Sequence, residues 1–334
     1  MASPENTVAF IGLGVMGYPM AVNLHAGLGP DQKLLICDVN SDAISRFKKE
    51  TEGKGSVEVV NNGFEAVRAA NTVITMLPDS PAVKAVYLDP QTGIISGVHS
   101  AAQSIPKPKL IMECGTIETA TILEVAKASE ASSSRLPAGA ALSFVDAPVS
   151  GGPMGAQAGT LTFMVGANDE AAFQTAKSHL AHMGNKNSVF LCGKVGAGTA
   201  FKVINNYLSA ITSLAASEAL NIGVKMGLDA KLLTDVINVS GGQCWVTSQS
   251  NPVPGVQDNV PSSRGYEGGF RLELCAKVLG MGSQLAEMVG ARTILDKPTL
   301  EAFKEASSDE RYKGKDARVV YKWLSESERK WVLK

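Results

Sequence analysis

The 334-residue sequence predicts an α/β fold in which a parallel sheet is followed by one long helix and a helical remainder. Short β-rich apolar runs alternate with helical patterns through the first ~195 residues, as βαβ units do. A proline-free stretch from Thr199 to Met226, rich in Ala, Leu, Ile and Ser and closed by Gly227, then breaks the alternation. After it, Lys231–Val239, Glu273–Val289 and Pro298–Lys304 carry helical spacing.

The strands are read from Val8–Gly12, Leu34–Asp38, Val73–Leu77, Leu110–Cys114 and Phe144–Pro148, with Leu161–Val165 and Val189–Cys192 later. Near-continuous apolar runs fit strands covered on both faces. Helices Ala43–Lys49 and Pro81–Tyr87 lie between the early strands. At 1.5 Å per residue the Thr199–Met226 helix is about 40 Å long. A helix apolar on most sides is normally buried, so it is expected as a spine between domains or between subunits. Asn251–Gly269, rich in Pro, Gly and Ser, reads as a covering loop, and the charged Ser307–Lys334 as a solvated helix or tail. The parts expected are residues 1–196, 197–228 and 229–334.

An apolar content of 45% and a mean hydropathy of +0.06 describe a globular chain rather than a disordered one. Thirty-one Lys+Arg against 32 Asp+Glu give a net charge of −1, which argues against a broad nucleic-acid or anionic-membrane surface. The most apolar long segment, Leu208–Val224, contains Glu218 and Asn221, so no membrane span is expected. The opening Met1-Ala-Ser-Pro-Glu-Asn-Thr lacks the basic start of a signal peptide and the Arg-rich start of a transit peptide. The expectation is a cytoplasmic protein, or a mitochondrial matrix protein if a targeting segment is removed. Five isolated cysteines read as core residues in a reducing compartment. His179 and His182 have no clear carboxylate or cysteine partner, so they read as a solvated helix face and no metal is expected.

Gly12-Leu13-Gly14-Val15-Met16-Gly17 follows a strand and opens a helix, the context in which G-x-G-x-x-G binds a dinucleotide. Gly12 permits a tight turn, Gly14 lets the backbone approach a pyrophosphate, and Gly17 allows close helix–strand packing. Asp38 closes the second strand, where a carboxylate accepts from a ribose 2′-hydroxyl and repels a 2′-phosphate, so NAD is favoured over NADP. The competing reading of Asp38 is an N-cap for the next helix. Leu77-Pro78 and Thr116 stand at carboxyl ends of strands, where the ligand crevice of an open parallel sheet lies.

Asp146-Ala-Pro-Val-Ser-Gly-Gly152 also follows a strand, and Ser150, Gly151 and Gly152 form either an anion-binding nest or a plain turn. Lys202 and Asn206, at i and i+4, share a face near the start of the long helix. A lysine buried there has a lowered pKa and can exchange a proton with a substrate hydroxyl, whereas a snorkelling lysine cannot. None of the six tyrosines begins a Tyr-x-x-x-Lys pair, so a short-chain dehydrogenase centre is absent, and a zinc-dependent one is disfavoured.

From about residue 7 to about residue 305 the chain resembles the β-hydroxyacid dehydrogenase family, in particular the 3-hydroxyisobutyrate dehydrogenases. The resemblance rests on Gly12–Leu24, Ile74–Ser80, Asp146–Gly152, Gly159–Gly166, Lys202-Val-Ile-Asn-Asn206 and Asn251–Gly255. It implies a Rossmann-type doubly wound sheet, a long inter-domain helix and an all-α second domain that also makes the subunit interface of a homodimer or homotetramer. It implies Lys202 as the catalytic proton carrier, with Ser150, Gly151, Gly152 and Asn206 on the substrate. The resemblance also implies that Gly12 to Gly17, Asp38, Leu77, Pro78, Thr116 and Lys277 contact NAD. The implied reaction oxidises 3-hydroxyisobutyrate to methylmalonate semialdehyde in valine breakdown. The alternatives are a paralogue acting on another small β-hydroxyacid, aldehyde acid or imine, and a catalytically silent NAD-binding scaffold. The family's K-D-L element appears here as Lys277-Val278-Leu279, and Arg271 and Glu273 replace small or uncharged residues. The segments 96–108 and 129–139 look like insertions.

Overall fold

The computed structural model describes residues 6–327. The chain divides into two compact units, Met1–Lys202 and Val203–Lys334. The first unit opens with β1 (Thr7–Ile11), α1 (Gly17–Gly27), β2 (Lys33–Cys37), α2 (Ser41–Glu50), β3 (Ser56–Val59) and α3 (Gly63–Ala69). It continues through β4 (Thr72–Thr75), α4 (Ser80–Leu88), α5 (Ile94–Ser104), β5 (Pro108–Glu113), α6 (Thr119–Ser133) and β6 (Ala141–Asp146). The sheet is completed by β7 (Val149–Ser150), α7 (Gly152–Ala158), β8 (Leu161–Gly166), α8 (Glu170–Leu180) and β9 (Gly184–Gly193).

The strand order is β3-β2-β1-β4-β5-β6-β8-β7, with β9 on β8. Strands β1 to β6 pair in parallel, and Phe10 lies opposite both Ile36 and Ile74. Alternate side chains serve two cores, one on each face. Val8, Phe10, Leu34, Ile36 and Met112 pack with Met20, Leu24, Phe47 and Phe173. Ala9, Ile11, Leu35, Val73 and Ile111 pack with Val67, Val83, Tyr87, Val98 and Val125. This is the doubly wound Rossmann arrangement. Truncating a core residue such as Leu24 to alanine costs about 2–5 kcal/mol.

Three expectations for this unit need correction. Strand β8 runs antiparallel to β6 and β7, so the sheet is mixed at that edge. An apolar run reports burial and carries no information about strand direction. The edge strand β3, Ser56-Val-Glu-Val, is mostly exposed and has no apolar run to betray it. His179 does not lie on a solvated face: its Nε2 is 3.3 Å from Thr72 Oγ1, and burial pushes its pKa down to about 4. Its neighbour His182 is exposed, and no metal-holding cluster occurs among the described residues. Most of the segment 96–108 belongs to α5, whose Val98 packs into the second core.

Helix α9 (Ala197–Lys225) runs through the division, followed by α10 (Ala230–Asn238), α11 (Trp245–Gln249), α12 (Leu272–Val289), α13 (Asp296–Ser308) and α14 (Val320–Glu326). Along α9, Phe201, Ile204, Leu208 and Ile222 form an exposed apolar stripe, so the helix is not enclosed on all sides within this chain. The loop Asn251–Gly269 is ordered by its own polar groups. Buried Asn251 donates to Thr234 Oγ1 at 3.1 Å and accepts from Val253 N–H at 2.9 Å. The Tyr266 hydroxyl donates to the Pro252 carbonyl at 2.8 Å.

The charged end is not a solvated tail as far as residue 327. Tyr312, Ala317, Val319 and Val320 enter a core with Leu272, Leu279 and Phe303. Buried Asp316 accepts from Phe270 N–H at 2.7 Å and Arg318 N–H at 2.9 Å, and it pairs with the Arg318 guanidinium at 3.4 Å. One buried ion pair and several apolar side chains thus sit among charges that are otherwise mostly exposed, which is why composition alone misleads here. Residues 328–334, the rest of that expected tail, lie outside the described residues.

Candidate active site

The site is built at the carboxyl ends of the parallel strands. Chain order reverses there between β1 and β4, which is the position for a ligand crevice in an open sheet. Gly12 has φ +99°, and a Cβ on it would overlap the Met76 carbonyl; a Cβ on Gly17 would overlap the Gly12 carbonyl. Both glycines are demanded by the fold itself. Gly14 is different, because a Cβ there would meet nothing within 4 Å. Its smallness serves no contact within the protein and leaves open backbone at the positive end of α1, which has no side-chain cap. That cradle fits a pyrophosphate. Leu13 is buried, whereas Val15 is 76% exposed and Met16 is half-buried.

Asp38 is tied into this loop. Its Oδ2 accepts the Leu13 N–H and its Oδ1 accepts the Asn40 N–H at 2.7 Å. The N-cap of α2 is Asn40, which accepts from Asp42 N–H at 2.9 Å, so Asp38 is not the cap. Arg46, on α2 beyond Asp38, lies over the Tyr18 ring at 4.0 Å.

Leu77 is buried, Pro78 exposed and Thr116 half-buried at the ends of β4 and β5. The loops carrying them are held by Glu113, which sequence reasoning passed over. This fully buried carboxylate accepts from the Thr75 hydroxyl, from Gly115 N–H at 2.6 Å and from Leu77 N–H. The Thr75 hydroxyl also meets Tyr87 Oη at 2.7 Å. Burial pushes the Glu113 pKa up to about 7 despite these donors. The signal available was one acid inside the apolar run Leu-Ile-Met-Glu-Cys.

After β6, Ser150 is half-buried at the end of β7, and Gly151 and Gly152 have φ +134° and +63°. No protein atom lies within 4 Å of where a Gly152 Cβ would be. Asp146, in the same motif, does a different job. Buried in the sheet, it accepts the N–H groups of Gly196 and Thr199, each at 2.7 Å, and so anchors the first turn of α9. Burial raises its pKa. Gly198 closes that joint, since a Cβ there would overlap the Met164 carbonyl.

Lys202 follows Gly198 by one turn and shares its face. The side chain is 8% exposed, and it has no hydrogen-bond or ion-pair partner among the described residues. Burial of the side chain pushes its pKa down to about 8. Asn206, another turn along α9, is half-buried.

Lys277 is half-buried on α12, in the second unit. Beside it, Val278 is buried against Val203 and Met281, an apolar setting in which an ionised acid would be costly. Arg271 pairs with Glu273 at 3.4 Å, and Glu273 accepts from Gly314 N–H at 2.7 Å. These two departures from the family pattern therefore fasten the start of α12 to the segment after α13.

Residues 7–194 match the family model described as the NAD binding domain of 6-phosphogluconate dehydrogenase. Residues 196–324 match that described as NAD-binding of NADP-dependent 3-hydroxyisobutyrate dehydrogenase. A probable mitochondrial 3-hydroxyisobutyrate dehydrogenase of Dictyostelium discoideum is 38% identical over 97% of this chain and 92% of its own length. An NAD-dependent L-serine dehydrogenase of Pseudomonas aeruginosa is 35% identical over 89% of this chain and 91% of its own. The solved 3-hydroxyisobutyrate dehydrogenase of Mycobacterium tuberculosis with L-serine has a TM-score of 0.80 at 31% identity, covering 96% of this chain and 99% of that one. Fold, glycine loop and relatives together define an NAD-binding oxidoreductase acting on the CH–OH group of a small hydroxyacid. The chain belongs to the 3-hydroxyisobutyrate dehydrogenase family of β-hydroxyacid dehydrogenases.

Proposed function

We propose that the protein oxidises 3-hydroxyisobutyrate to methylmalonate semialdehyde in valine breakdown, with Lys202 carrying the hydroxyl proton. The observation behind this reading is the largely buried, unpaired side chain of Lys202, held on an α9 turn that is anchored to the carboxyl end of β6. That strand end leads directly to Ser150. With a pKa of about 8, roughly a tenth of Lys202 is neutral at pH 7 and able to take a proton. The Ser150 hydroxyl and the N–H groups of Gly151 and Gly152 would hold the substrate carboxylate, and Asn206 would orient the reacting hydroxyl. Bound NAD supplies the hydride acceptor. The residues Gly12, Leu13, Gly14, Val15, Met16 and Gly17 would hold its pyrophosphate, Asp38 its adenosine ribose, and Leu77, Pro78, Thr116 and Lys277 the rest. The Asp38 carboxylate at this position would repel a 2′-phosphate, which supports NAD over NADP.

A second reading, oxidation of L-serine, is favoured by the Pseudomonas relative's name and by the L-serine in the mycobacterial structure's description. Following NADH formation over a panel of 3-hydroxy acids, L-serine included, separates the two. The first reading requires the highest kcat/KM for 3-hydroxyisobutyrate. A tenfold preference for L-serine would replace it, and silence with every acid would leave only a scaffold. The exposed α9 stripe supports a homodimer or homotetramer. Relatives named as mitochondrial support a matrix location, and no helix among the described residues is long and apolar enough to cross a membrane.

A further inference from the structure

Beyond the ends of β4 and β5 the sheet ladder continues for one more rung on each strand. Met76 N–H bonds the Ile11 carbonyl at 2.9 Å, and Cys114 N–H bonds the Thr75 carbonyl at 2.8 Å. The next N–H groups, those of Leu77 and Gly115, turn instead to the Glu113 carboxylate. The two loops also touch there. A Cβ on Gly115 would lie 2.5 Å from the Leu77 carbonyl and 2.6 Å from Glu113 Oε1. A carboxylate shut off from solvent thus stands between the loops that lead to Pro78 and Thr116.

Packing alone does not ask for an acid at this place. A buried carboxylate is expensive unless donors surround it, and an apolar side chain would fill the space at lower cost. Of its three donors, the Thr75 hydroxyl has a second acceptor in the Met112 carbonyl at 3.2 Å. The two loop N–H groups have no other acceptor among the described residues, so they are what depends on Glu113. Strands β2, β1, β4 and β5 lie side by side in that order. With Asp38 at the end of β2 and the glycine loop after β1, a dinucleotide laid across the strand ends reaches β4 and β5 with its nicotinamide half.

We infer that Glu113 is a positioning residue for the nicotinamide half of NAD, acting through the Leu77 and Gly115 N–H groups that it holds. This rests on the reading above in which Leu77, Pro78 and Thr116 take up part of the cofactor. Charge-assisted bonds are about twice as strong as neutral ones, so glutamine would grip these loops more weakly and methionine not at all. The test is calorimetric titration of NAD, and of ADP-ribose, which lacks the nicotinamide, into wild type, Glu113→Gln, Glu113→Met and Thr116→Ala. It is run at pH 8, where Glu113, its pKa raised to about 7 by burial, is mostly ionised. NAD affinity should fall at least fivefold in Glu113→Gln and further in Glu113→Met. ADP-ribose should bind every variant within twofold of wild type, which also shows that the glycine loop is folded. Thr116→Ala leaves Glu113 in place and should lose affinity for NAD alone. Unchanged NAD affinity in both Glu113 variants, or an equal loss of both ligands, would overturn the positioning role. A selective loss in Thr116→Ala alone would leave the cofactor reading standing without it, whereas no selective loss in any variant would sink both.

Discussion

Replacing Lys202 with methionine is expected to stabilise the protein and silence it at once. The side chain is buried, and its pKa falls from 10.5 to about 8. At 1.36 kcal/mol per unit, the charged form is disfavoured in the folded state by about 3 kcal/mol relative to the unfolded chain. The folded pKa is the lower one, so the unfolded chain binds more protons between the two values. The destabilisation is therefore present in full below pH 8 and disappears as pH rises through 10.5. Methionine has similar length and no charge. The variant should gain about 3 kcal/mol at pH 7, about 2 at pH 9, and nothing above pH 10.5. For a unit of this size that is a rise in Tm of roughly 6–12 °C at pH 7. Turnover should drop by a factor of about 10²–10⁴ with NAD affinity nearly unchanged. Thermal unfolding at pH 7 and 9, run beside kcat and an NAD titration, reads both effects. A variant no more stable than the wild type, or a stability gap that does not close with pH, would show that burial does not disfavour the ammonium. Undiminished turnover would remove its role in proton transfer.

Other perturbations test the neighbouring parts of the site. Gly17→Ala forces a methyl into the Gly12 carbonyl, so NAD affinity should fall at least tenfold and the first unit should melt earlier; calorimetry with NAD reads the first and thermal unfolding the second. Asp38→Ala frees the Leu13 N–H and removes the carboxylate, so the NADP-to-NAD ratio of kcat/KM should rise by about tenfold or more. An unchanged ratio would refute the ribose assignment. Glu113 has its pKa raised from 4.5 to about 7, so the wild type should lose up to about 3 kcal/mol as pH rises through that window. Glu113→Gln should flatten this part of a Tm-against-pH profile between pH 4 and 8.

Much of the architecture is legible before folding is considered. The runs at Val8, Leu34, Val73, Leu110 and Phe144 mark strands because each must be apolar on both faces. The Thr199–Met226 stretch marks α9 because nothing in it breaks a helix. Legibility fails where the informative quantity is not periodic. Ser56–Val59 is an exposed edge strand with too little apolar surface to show. In the segment from Ser307, Tyr312, Ala317, Val319 and Val320 and one buried pair, Asp316 and Arg318, enter a packed core between exposed charges, which a count of charges reads as solvation.

The site divides along the same line. Sequence alone determined the glycine loop, the carboxylate at the end of the second strand, the Ser-Gly-Gly turn and the lysine–asparagine spacing, because backbone freedom and helical periodicity are local properties. Only the tertiary structure decided that Lys202 is largely buried and that Asp146 anchors α9. It alone decided that Glu113 joins two loops and that β8 runs backwards. Desolvation, hydrogen-bond partnership and strand direction depend on groups that arrive from distant parts of the chain.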